Sequence, residues 1–299
     1  MSTANVPMTS SSTKLAVELI RCTSPTIQSQ TEQARIAISQ MRHRLNLLEA
    51  WFGSLEAAKS SLDGKTVLEI GCGQGDMTVV LAWAVGPAGI VNAIDPAPPD
   101  YGSPETLQEA QERISRSPLG VRVNWRRCEP IEALQKESKL RAADYIVLAH
   151  SLLYMKSTDY IATLFRALIT AASISAESAS PRLLVAEWGM RVSTESARAH
   201  LFAVQAQAAQ PLRSGNVQLY VEPKTTMELA LKAGWRRGEE SWIESPDLDD
   251  GMWEVAATRS MLITDDTYPT TRDVVENLSR VESGSVRCMD VWTAVYSRS

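Results

Sequence analysis

Residues 67–75 read Val67-Leu68-Glu69-Ile70-Gly71-Cys72-Gly73-Gln74-Gly75, and an acid, Asp95, follows twenty residues after the last glycine. The apolar run is short, partly β-branched and bounded by glycine, which predicts a buried strand followed by a tight turn. Glycine is used where a backbone turns sharply or lets a ligand approach closely. A helix is predicted to begin near Asp76, so its unpaired amide groups would face whatever binds at the turn.

Two classes of cofactor fit a strand, a glycine turn and a helix with an acid after the next strand: dinucleotides and S-adenosylmethionine. A dinucleotide loop has the spacing G-x-G-x-x-G/A, in which the third small residue lets helix and strand pack closely over the pyrophosphate. Counted from Gly71, that position holds Asp76. An acid there would repel a pyrophosphate but suits the ammonium and sulfonium groups of S-adenosylmethionine. The spacing therefore favours S-adenosylmethionine and disfavours a nicotinamide oxidoreductase.

The E-x-G-x-G-x-G pattern followed by Asp95 resembles the first two motifs of the class I (Rossmann-like) S-adenosylmethionine-dependent methyltransferases. Motifs in the family's order cover about residues 60–245. The resemblance implies an α/β fold with a doubly wound, mostly parallel seven-stranded sheet in the order 3-2-1-4-5-7-6, and helical additions that form a lid. The stretch His150-Ser151-Leu152-Leu153-Tyr154 looks like a segment found in fungal small-molecule methyltransferases. We therefore predict methyl transfer from S-adenosylmethionine to a small molecule, with O-methylation of a specialised metabolite as the reaction and S-adenosylhomocysteine as the product.

Strands and helices alternate along most of the chain. Strands are predicted over residues 90–94, 121–125, 144–150, 183–187, 235–243 and 291–296, and helices over 31–52, 76–85, 104–115, 158–172, 193–210 and 224–233. Such alternation predicts a parallel sheet that binds its ligands at the carboxyl ends of the strands. Several of the polar segments follow strands directly, so we expect them to meet at this edge.

The chain is predicted to consist of a flexible N-terminal segment, residues 1–30, and a single methyltransferase domain, residues 31–299. Two connections, at about 190–222 and 247–285, exceed the usual length of a loop in a compact domain. Long insertions of this kind are often active-site lids. We expect both to be helical and to shape the pocket for the methyl acceptor.

Composition limits the possible partners and compartment. The 299 residues are 44% hydrophobic, enough for a large core, and carry a net charge of −5 with a pI near 5.4, which argues against a nucleic-acid acceptor. The four cysteines match neither a disulfide framework nor zinc spacing, so no metal site is predicted. The absence of a long apolar run predicts a cytoplasmic protein without a membrane partner, and the oligomeric state stays open.

The resemblance also assigns cofactor-binding residues. They are Glu69, Gly71, Cys72, Gly73, Gly75, Asp95, Pro96, Cys128, Glu129 and His150. The glycine loop would pass the methionine part of the cofactor with Glu69 just below it, and Asp95 would accept hydrogen bonds from both ribose hydroxyls. The adenine ring would lie between the residues after Asp95 and the stretch that begins at Cys128.

The catalytic candidates are His150 and His200. Histidine has an ordinary pKa near neutrality, so His150 would serve as a base or hold the methionine end of the cofactor; alternatively its ring packs beneath the cofactor. The predicted walls of the acceptor pocket are aromatic: Tyr154, Trp188, Tyr220 and Trp253. The basic triplet at residues 42–44 either closes over the cofactor carboxylate or forms a solvated helix face.

Two other functions fit the same motifs. One is an enzyme of this fold that binds S-adenosylmethionine but catalyses a different reaction, such as a cyclisation. The other is a non-catalytic binding or regulatory protein in which the glycine loop persists as structure. The presence of Gly71, Gly73, Gly75 and Asp95 together argues against the second of these.

Overall fold

A seven-stranded sheet forms the centre of the computed structural model, which describes residues 10–24, 31–103, 105–174, 181–209, 217–261 and 286–298. The strands are β1 (Thr66–Ile70), β2 (Ile90–Ile94), β3 (Val123–Arg126), β4 (Tyr145–Ala149), β5 (Arg182–Trp188), β6 (Trp235–Ile243) and β7 (Val291–Arg298). Their order across the sheet is β3-β2-β1-β4-β5-β7-β6. The predicted fold class and strand order are therefore confirmed.

Strands β1 to β5 run parallel to their neighbours, whereas β7 pairs antiparallel with both β5 and β6. The central strands are apolar on both faces: Val67, Leu68 and Ile70 of β1 are each at most 1% exposed. This burial explains why they form near-continuous hydrophobic runs in the sequence. The backbone N–H groups of Gly71 and Cys72 both donate to the carbonyl of Ile94. The glycine loop is thereby fixed beside the end of β2, where Asp95 follows.

Helices surround the sheet on both sides. They are α1 (Ser10–Thr23), α2 (Glu32–Phe52), α3 (Leu55–Leu62), α4 (Asp76–Ala84), α5 (Leu107–Ser115), α6 (Pro130–Lys136), α7 (Ser138–Arg141), α8 (Thr158–Ile174), α9 (Arg198–Ala209), α10 (Pro223–Ala233) and α11 (Asp250–Met261). None of the helices in the described part of the chain is long and apolar enough to cross a membrane.

Helix α2 brings side chains from the N-terminal region to the ligand-binding edge of the sheet. Its Trp51 is buried, and the indole nitrogen donates to the backbone carbonyl of Val185 in β5 at 3.0 Å. This bond anchors the C-terminal end of the helix against the sheet. His43 and Arg44, about two turns earlier, then reach the carboxyl ends of the strands.

The N-terminal segment differs from its prediction. The sequence predicts that residues 1–30 are flexible, but α1 forms within them and packs against α2, with Ala16 and Leu19 buried. The prediction is therefore wrong for Ser10–Thr23, because one face of this stretch has apolar side chains at helical spacing. Residues 1–9 and 25–30 lie outside the described part of the chain.

Each of the two long insertions contains a helix. Helix α9 lies in the first and α11 begins the second, and the two helices pack against each other. Residues 210–216 and 262–285, the remainder of these two predicted lids, lie outside the described residues.

Candidate active site

A cavity of about 570 Å³ opens at the carboxyl ends of β1, β2 and β4. Its wall includes the glycine loop, the residue after β2, the beginning of α6 and the segment after β4. Arg44 of α2 and Asp250 of α11 complete the wall from outside the sheet. A cavity of this size is typical of sites that bind small molecules.

The glycine loop forms one side of the cavity. Two of its glycines, Gly71 and Gly73, meet different structural requirements. Gly71 has a φ of +77°, and a Cβ at this position would lie 2.5 Å from the Cβ of Ser151. Gly73 has a φ of +51°, but a Cβ there would have no protein atom within 4 Å, since Gly73 faces the cavity. Gly71 thus permits close packing of the loop, whereas Gly73 leaves room on the ligand side.

Asp95 lies at the edge of the cavity in a fixed orientation. One carboxylate oxygen accepts the backbone N–H of Gly73 at 2.8 Å, and the other accepts that of Ala97 at 2.9 Å. A carboxylate oxygen accepts more than one hydrogen bond. Both oxygens can therefore still accept hydrogen bonds from a ligand. The two backbone N–H groups already hold the carboxylate in a fixed orientation for this.

Glu69 forms the floor of the cavity beneath the glycine loop. Its side chain is 2% exposed, and one carboxylate oxygen accepts the hydroxyl of Thr78 at 2.6 Å. Burial raises the pKa of Glu69 to about 8, although the bond from Thr78 and the charge of Arg44 act in the opposite direction. The carboxyl group therefore carries a proton for most of the time at neutral pH.

Arg44 lines the cavity, and its Nη1 atom is buried without a hydrogen-bond partner. A buried guanidinium nitrogen without a partner is costly, and such an atom at a cavity wall is suited to an anionic ligand. Of the two alternatives for the basic triplet, the solvated helix face does not apply to Arg44 or to the buried His43.

His150 contributes its ring to the cavity wall, and its Nδ1 atom is buried without a hydrogen-bond partner. Its Nε2 lies 2.8 Å from Nε2 of His43, and its Nδ1 lies 3.6 Å from a carboxylate oxygen of Glu187. One imidazole of the pair must donate and the other accept. Burial, followed by the charge of Arg44, lowers the pKa of His150 well below its ordinary value. The alternative in which the ring packs against the ligand agrees with this geometry better than a role as base.

Apart from Arg44, Gln218 and Asp250, the residues that line this cavity lie in a segment that other proteins share. Residues 67–171 match a protein family described as a methyltransferase domain. The chain carries a methyltransferase domain over these residues, and the protein is an S-adenosylmethionine-dependent methyltransferase. Its cofactor is S-adenosylmethionine.

The similarity of this methyltransferase to other proteins extends beyond residues 67–171. Methyltransferase phomM′ of Diaporthe leptostromiformis is 26% identical over an alignment of 295 residues, which covers 78% of this chain and 73% of the relative. The crystal structure of a cyclopropane-fatty-acyl-phospholipid synthase-like protein from Lactobacillus casei is 29% identical, with a TM-score of 0.78, and the match covers 97% of this chain and 100% of that one. The [4+2]-cyclase SpnF, at 14% identity and a TM-score of 0.52, shares the fold over 95% of this chain and 92% of its own.

His200 of the methyltransferase does not reach the cavity, so the structure corrects its assignment as a catalytic residue. It is fully buried, and its Nδ1 accepts the backbone N–H of Met289 at 3.1 Å. Burial lowers the pKa of His200 to about 3. Its ring packs edge-on against Trp188, which in turn contacts His150, so two rings separate it from the cavity.

Three of the four aromatic residues predicted to line the acceptor pocket also lie outside the cavity wall. Trp188 is 3% exposed and packs behind His150, and Trp253 is 49% exposed on α11 without lining the cavity. Tyr220 is exposed and its hydroxyl donates to Glu222. Tyr154 does line the cavity. The sequence around an aromatic residue does not show whether its side chain is buried, exposed or in contact with a ligand.

Of the remaining residues that were predicted to bind the cofactor, some line the cavity and others do not. Cys72, Pro96 and Glu129 line the cavity, whereas Cys128 and Gly75 do not. Gly75 instead caps α4, and a Cβ there would contact Ile114 and Trp125 at 2.7 Å. Glu129 accepts a hydrogen bond from the hydroxyl of Tyr160 at 2.9 Å.

Sequence reasoning missed several side chains of the wall. They are Tyr101, Lys156, Tyr160 and Gln218, whereas Asp250 lies in the second long insertion, which is predicted from the sequence to shape the pocket. Each belongs to a loop or a helix terminus without a recognisable motif, so only the fold brings them to the cavity. The one available signal was the acidic and aromatic stretch around Asp250, which lies in a long insertion.

Proposed function

We propose that this methyltransferase transfers a methyl group to a hydroxyl oxygen of a small specialised metabolite. The observation that carries the proposal is a single cavity of about 570 Å³ that holds the glycine loop, the oriented carboxylate of Asp95 and the phenol rings of Tyr101 and Tyr154. This volume suits one cofactor and a compact acceptor. Aromatic rings with polar hydroxyls favour acceptors that combine apolar surface with hydrogen-bonding groups.

The cofactor would extend along the edge of the sheet. We propose that Asp95 accepts hydrogen bonds from the ribose hydroxyls and that Glu129 and Pro96 lie beside the adenine ring. At the opposite end, Arg44 would pair with the carboxylate of the methionine part, while Glu69 lies below its ammonium group. The unpartnered Nη1 of Arg44 and the buried carboxyl of Glu69 support this orientation.

Replacement of Arg44 with methionine is expected to weaken S-adenosylmethionine binding about tenfold, because a charge-assisted hydrogen bond is worth roughly 1.5 to 3 kcal/mol. Methionine keeps much of the apolar stem, so the loss would reflect the guanidinium group. Calorimetric titration measures the affinity. Arg42→Met is the matched control, since Arg42 pairs with Asp247 away from the cavity. Equal affinities for the wild type and Arg44→Met would remove the carboxylate assignment.

S-adenosylmethionine is expected to release a proton from Glu69 when it binds at pH 7. The pKa of Glu69 is about 8 because of burial, so the empty cavity holds a protonated carboxyl, and a positive ammonium nearby would lower this pKa. The binding enthalpy should then depend on the ionisation enthalpy of the buffer, as a comparison of phosphate with Tris would detect. Glu69→Gln should abolish this dependence. The same buffer dependence in the variant would assign the proton to another group.

The protein's own part in the reaction is mainly alignment. A sulfonium methyl group is already electrophilic, so the cofactor supplies the activated methyl. The glycine loop and Asp95 would hold it in place, and the wall opposite would direct the acceptor oxygen towards it. Orientation of this kind contributes roughly 7 to 11 kcal/mol to the lowering of a barrier.

The test is incubation of the purified protein with methyl-labelled S-adenosylmethionine and a panel of phenols, aliphatic alcohols, carboxylic acids and amines. We expect labelled methyl ethers from hydroxyl acceptors, identified by mass spectrometry. Label that enters only amines would overturn O-methylation. Conversion of an acceptor without consumption of S-adenosylmethionine would instead indicate a different reaction on the same fold.

A further inference from the structure

One part of the cavity wall is not accounted for by the proposed cofactor contacts. It includes Tyr101, Tyr154, Gln218 and Asp250, and we call these four residues the acceptor wall. Asp250 is the first residue of α11, the helix that begins the second long insertion. The charged groups that act on its carboxylate include Arg44, Asp76 and Asp249. Asp250 therefore lies at the Arg44 end of the cavity, where the methionine part and its methyl group are proposed to bind.

Asp250 accepts a hydrogen bond from the side chain of Gln40, and three of the other four carboxylates that line the cavity also have defined contacts. Asp95 accepts two backbone N–H groups, and Glu69 accepts a hydroxyl beneath the loop. Glu129 accepts the hydroxyl of Tyr160 and lies 3.9 Å from the ammonium group of Lys156. Asp76 is the first residue of α4 and lies at the positive end of that helix.

The uncharged candidates for a base are also engaged or unsuited. His150 forms a hydrogen bond with His43 through Nε2, while its Nδ1 is buried without a partner, 3.6 Å from a carboxylate oxygen of Glu187. Burial lowers the pKa of this imidazole well below its ordinary value, which makes it a weak base. Tyr154 is 40% exposed, and its partial burial together with the carboxylates nearby raises the pKa of its phenol above the ordinary value, so the phenol keeps its proton at neutral pH. Among the cavity-lining residues that the structure describes, Asp250 is the group best placed to accept a proton from a bound molecule.

We infer that Asp250 is the catalytic base for a hydroxyl acceptor, an inference that rests on the proposed O-methylation. The acceptor oxygen forms its bond to the methyl carbon while the bond from that carbon to sulfur breaks, and sulfur keeps the electron pair. The hydroxyl O–H bond breaks in the same step, and its proton passes to the carboxylate of Asp250. The products are a methyl ether, S-adenosylhomocysteine and a protonated Asp250, which returns its proton to solvent when the products leave.

The acid–base behaviour of Asp250 depends on its surroundings. Burial raises its pKa, the charge of Arg44 and the side chain of Gln40 lower it, and Asp76 and Asp249 raise it. Glu254, Tyr154 and Cys288 are further titratable groups that interact with it. Because the pKa is raised, the base form is lost at a higher pH than for an exposed aspartate. Turnover of a hydroxyl acceptor should therefore fall as pH decreases through this pKa.

The test compares wild type, Asp250→Asn, Asp250→Glu and Asp249→Asn with the hydroxyl acceptors that the labelled panel identifies. Asp249 is the matched control, since it precedes Asp250 directly but pairs with Arg35 outside the cavity at 2.9 Å. We expect Asp250→Asn to lower kcat/KM about 100-fold, a typical contribution of a general base, and to remove the acid limb of the pH profile. Asp250→Glu should retain that limb. Asp249→Asn should keep the turnover of the wild type at neutral pH, with its acid limb moved to lower pH because the charge of Asp249 raises the pKa of Asp250.

Titration with S-adenosylmethionine alone separates this role from cofactor binding. An affinity for Asp250→Asn within about threefold of the wild type, with low turnover, supports a base, since a tenfold change corresponds to only about 1.4 kcal/mol. A loss of affinity equal to the loss of turnover would place Asp250 on the cofactor's ammonium group and overturn the inference. Undiminished turnover in Asp250→Asn would also overturn it while leaving O-methylation intact. A wild type that labels no hydroxyl acceptor would overturn O-methylation itself.

Discussion

Replacement of Asp95 with alanine is expected to weaken the binding of S-adenosylmethionine by about 100-fold or more. Each hydrogen bond between a carboxylate and a ribose hydroxyl is worth roughly 1.5 to 3 kcal/mol, so two of them contribute about 3 kcal/mol or more. The backbone bonds from Gly73 and Ala97 hold both oxygens ready for the ligand. The alanine variant loses this acceptor pair and also releases the amide of Gly73.

Calorimetric titration of the variant with S-adenosylmethionine and S-adenosylhomocysteine measures the effect. Both ligands carry the same ribose, so both affinities should fall by the same factor. Asp159→Ala is the control, because Asp159 is an exposed acid outside the cavity wall. An Asp95→Ala affinity within about threefold of the wild type, less than 1 kcal/mol, would contradict the ribose assignment.

Replacement of Gly73 with valine is expected to abolish S-adenosylmethionine binding while the protein stays folded. A side chain at Gly73 meets no protein atom within 4 Å, so it would extend into the space where the methionine part is proposed to bind. The positive φ of +51° adds backbone strain of about 1 to 3 kcal/mol for a non-glycine residue. Strain of this size lowers the melting temperature, but a large α/β core tolerates it.

A second glycine separates strain from obstruction of the cavity. Gly53 ends α2 with a φ of +87° and lies outside the cavity wall, and a Cβ at this position would also meet no protein atom within 4 Å. Gly53→Val should therefore be destabilised to a similar degree but should bind S-adenosylmethionine normally. If both variants lost binding together, the effect would be one of stability, and the proposed position of the methionine part would lose its support.

The parts of the fold that the sequence predicts well are those governed by local patterns. Residues 90–94 and 235–243 form β2 and β6 with the predicted bounds, and α4 begins at Asp76 as expected. The same holds for the glycine loop and Asp95, because a strand, a turn and a helix place them side by side over a short stretch of chain. Their proximity follows from the fold class alone.

The parts that could not be predicted depend on contacts between distant segments. His43 and His150 are 107 positions apart, and their hydrogen bond decides whether an imidazole nitrogen faces the cavity. Asp250 reaches the cavity from α11, a helix that packs against α9. Hydrophobic periodicity shows that such helices exist, but it does not show which of their polar side chains meets a site.

The histidine cluster behind the cavity gives the protein a spectroscopic label of its own. The chain has three histidines, and all of them, His43, His150 and His200, lie in one chain of ring contacts with Trp188. Every imidazole signal in a nuclear magnetic resonance spectrum must therefore come from a histidine that lies in the cavity wall or is separated from the cavity by at most two aromatic rings. Occupation of the site by cofactor or acceptor would be observable directly in the native protein, without an introduced probe.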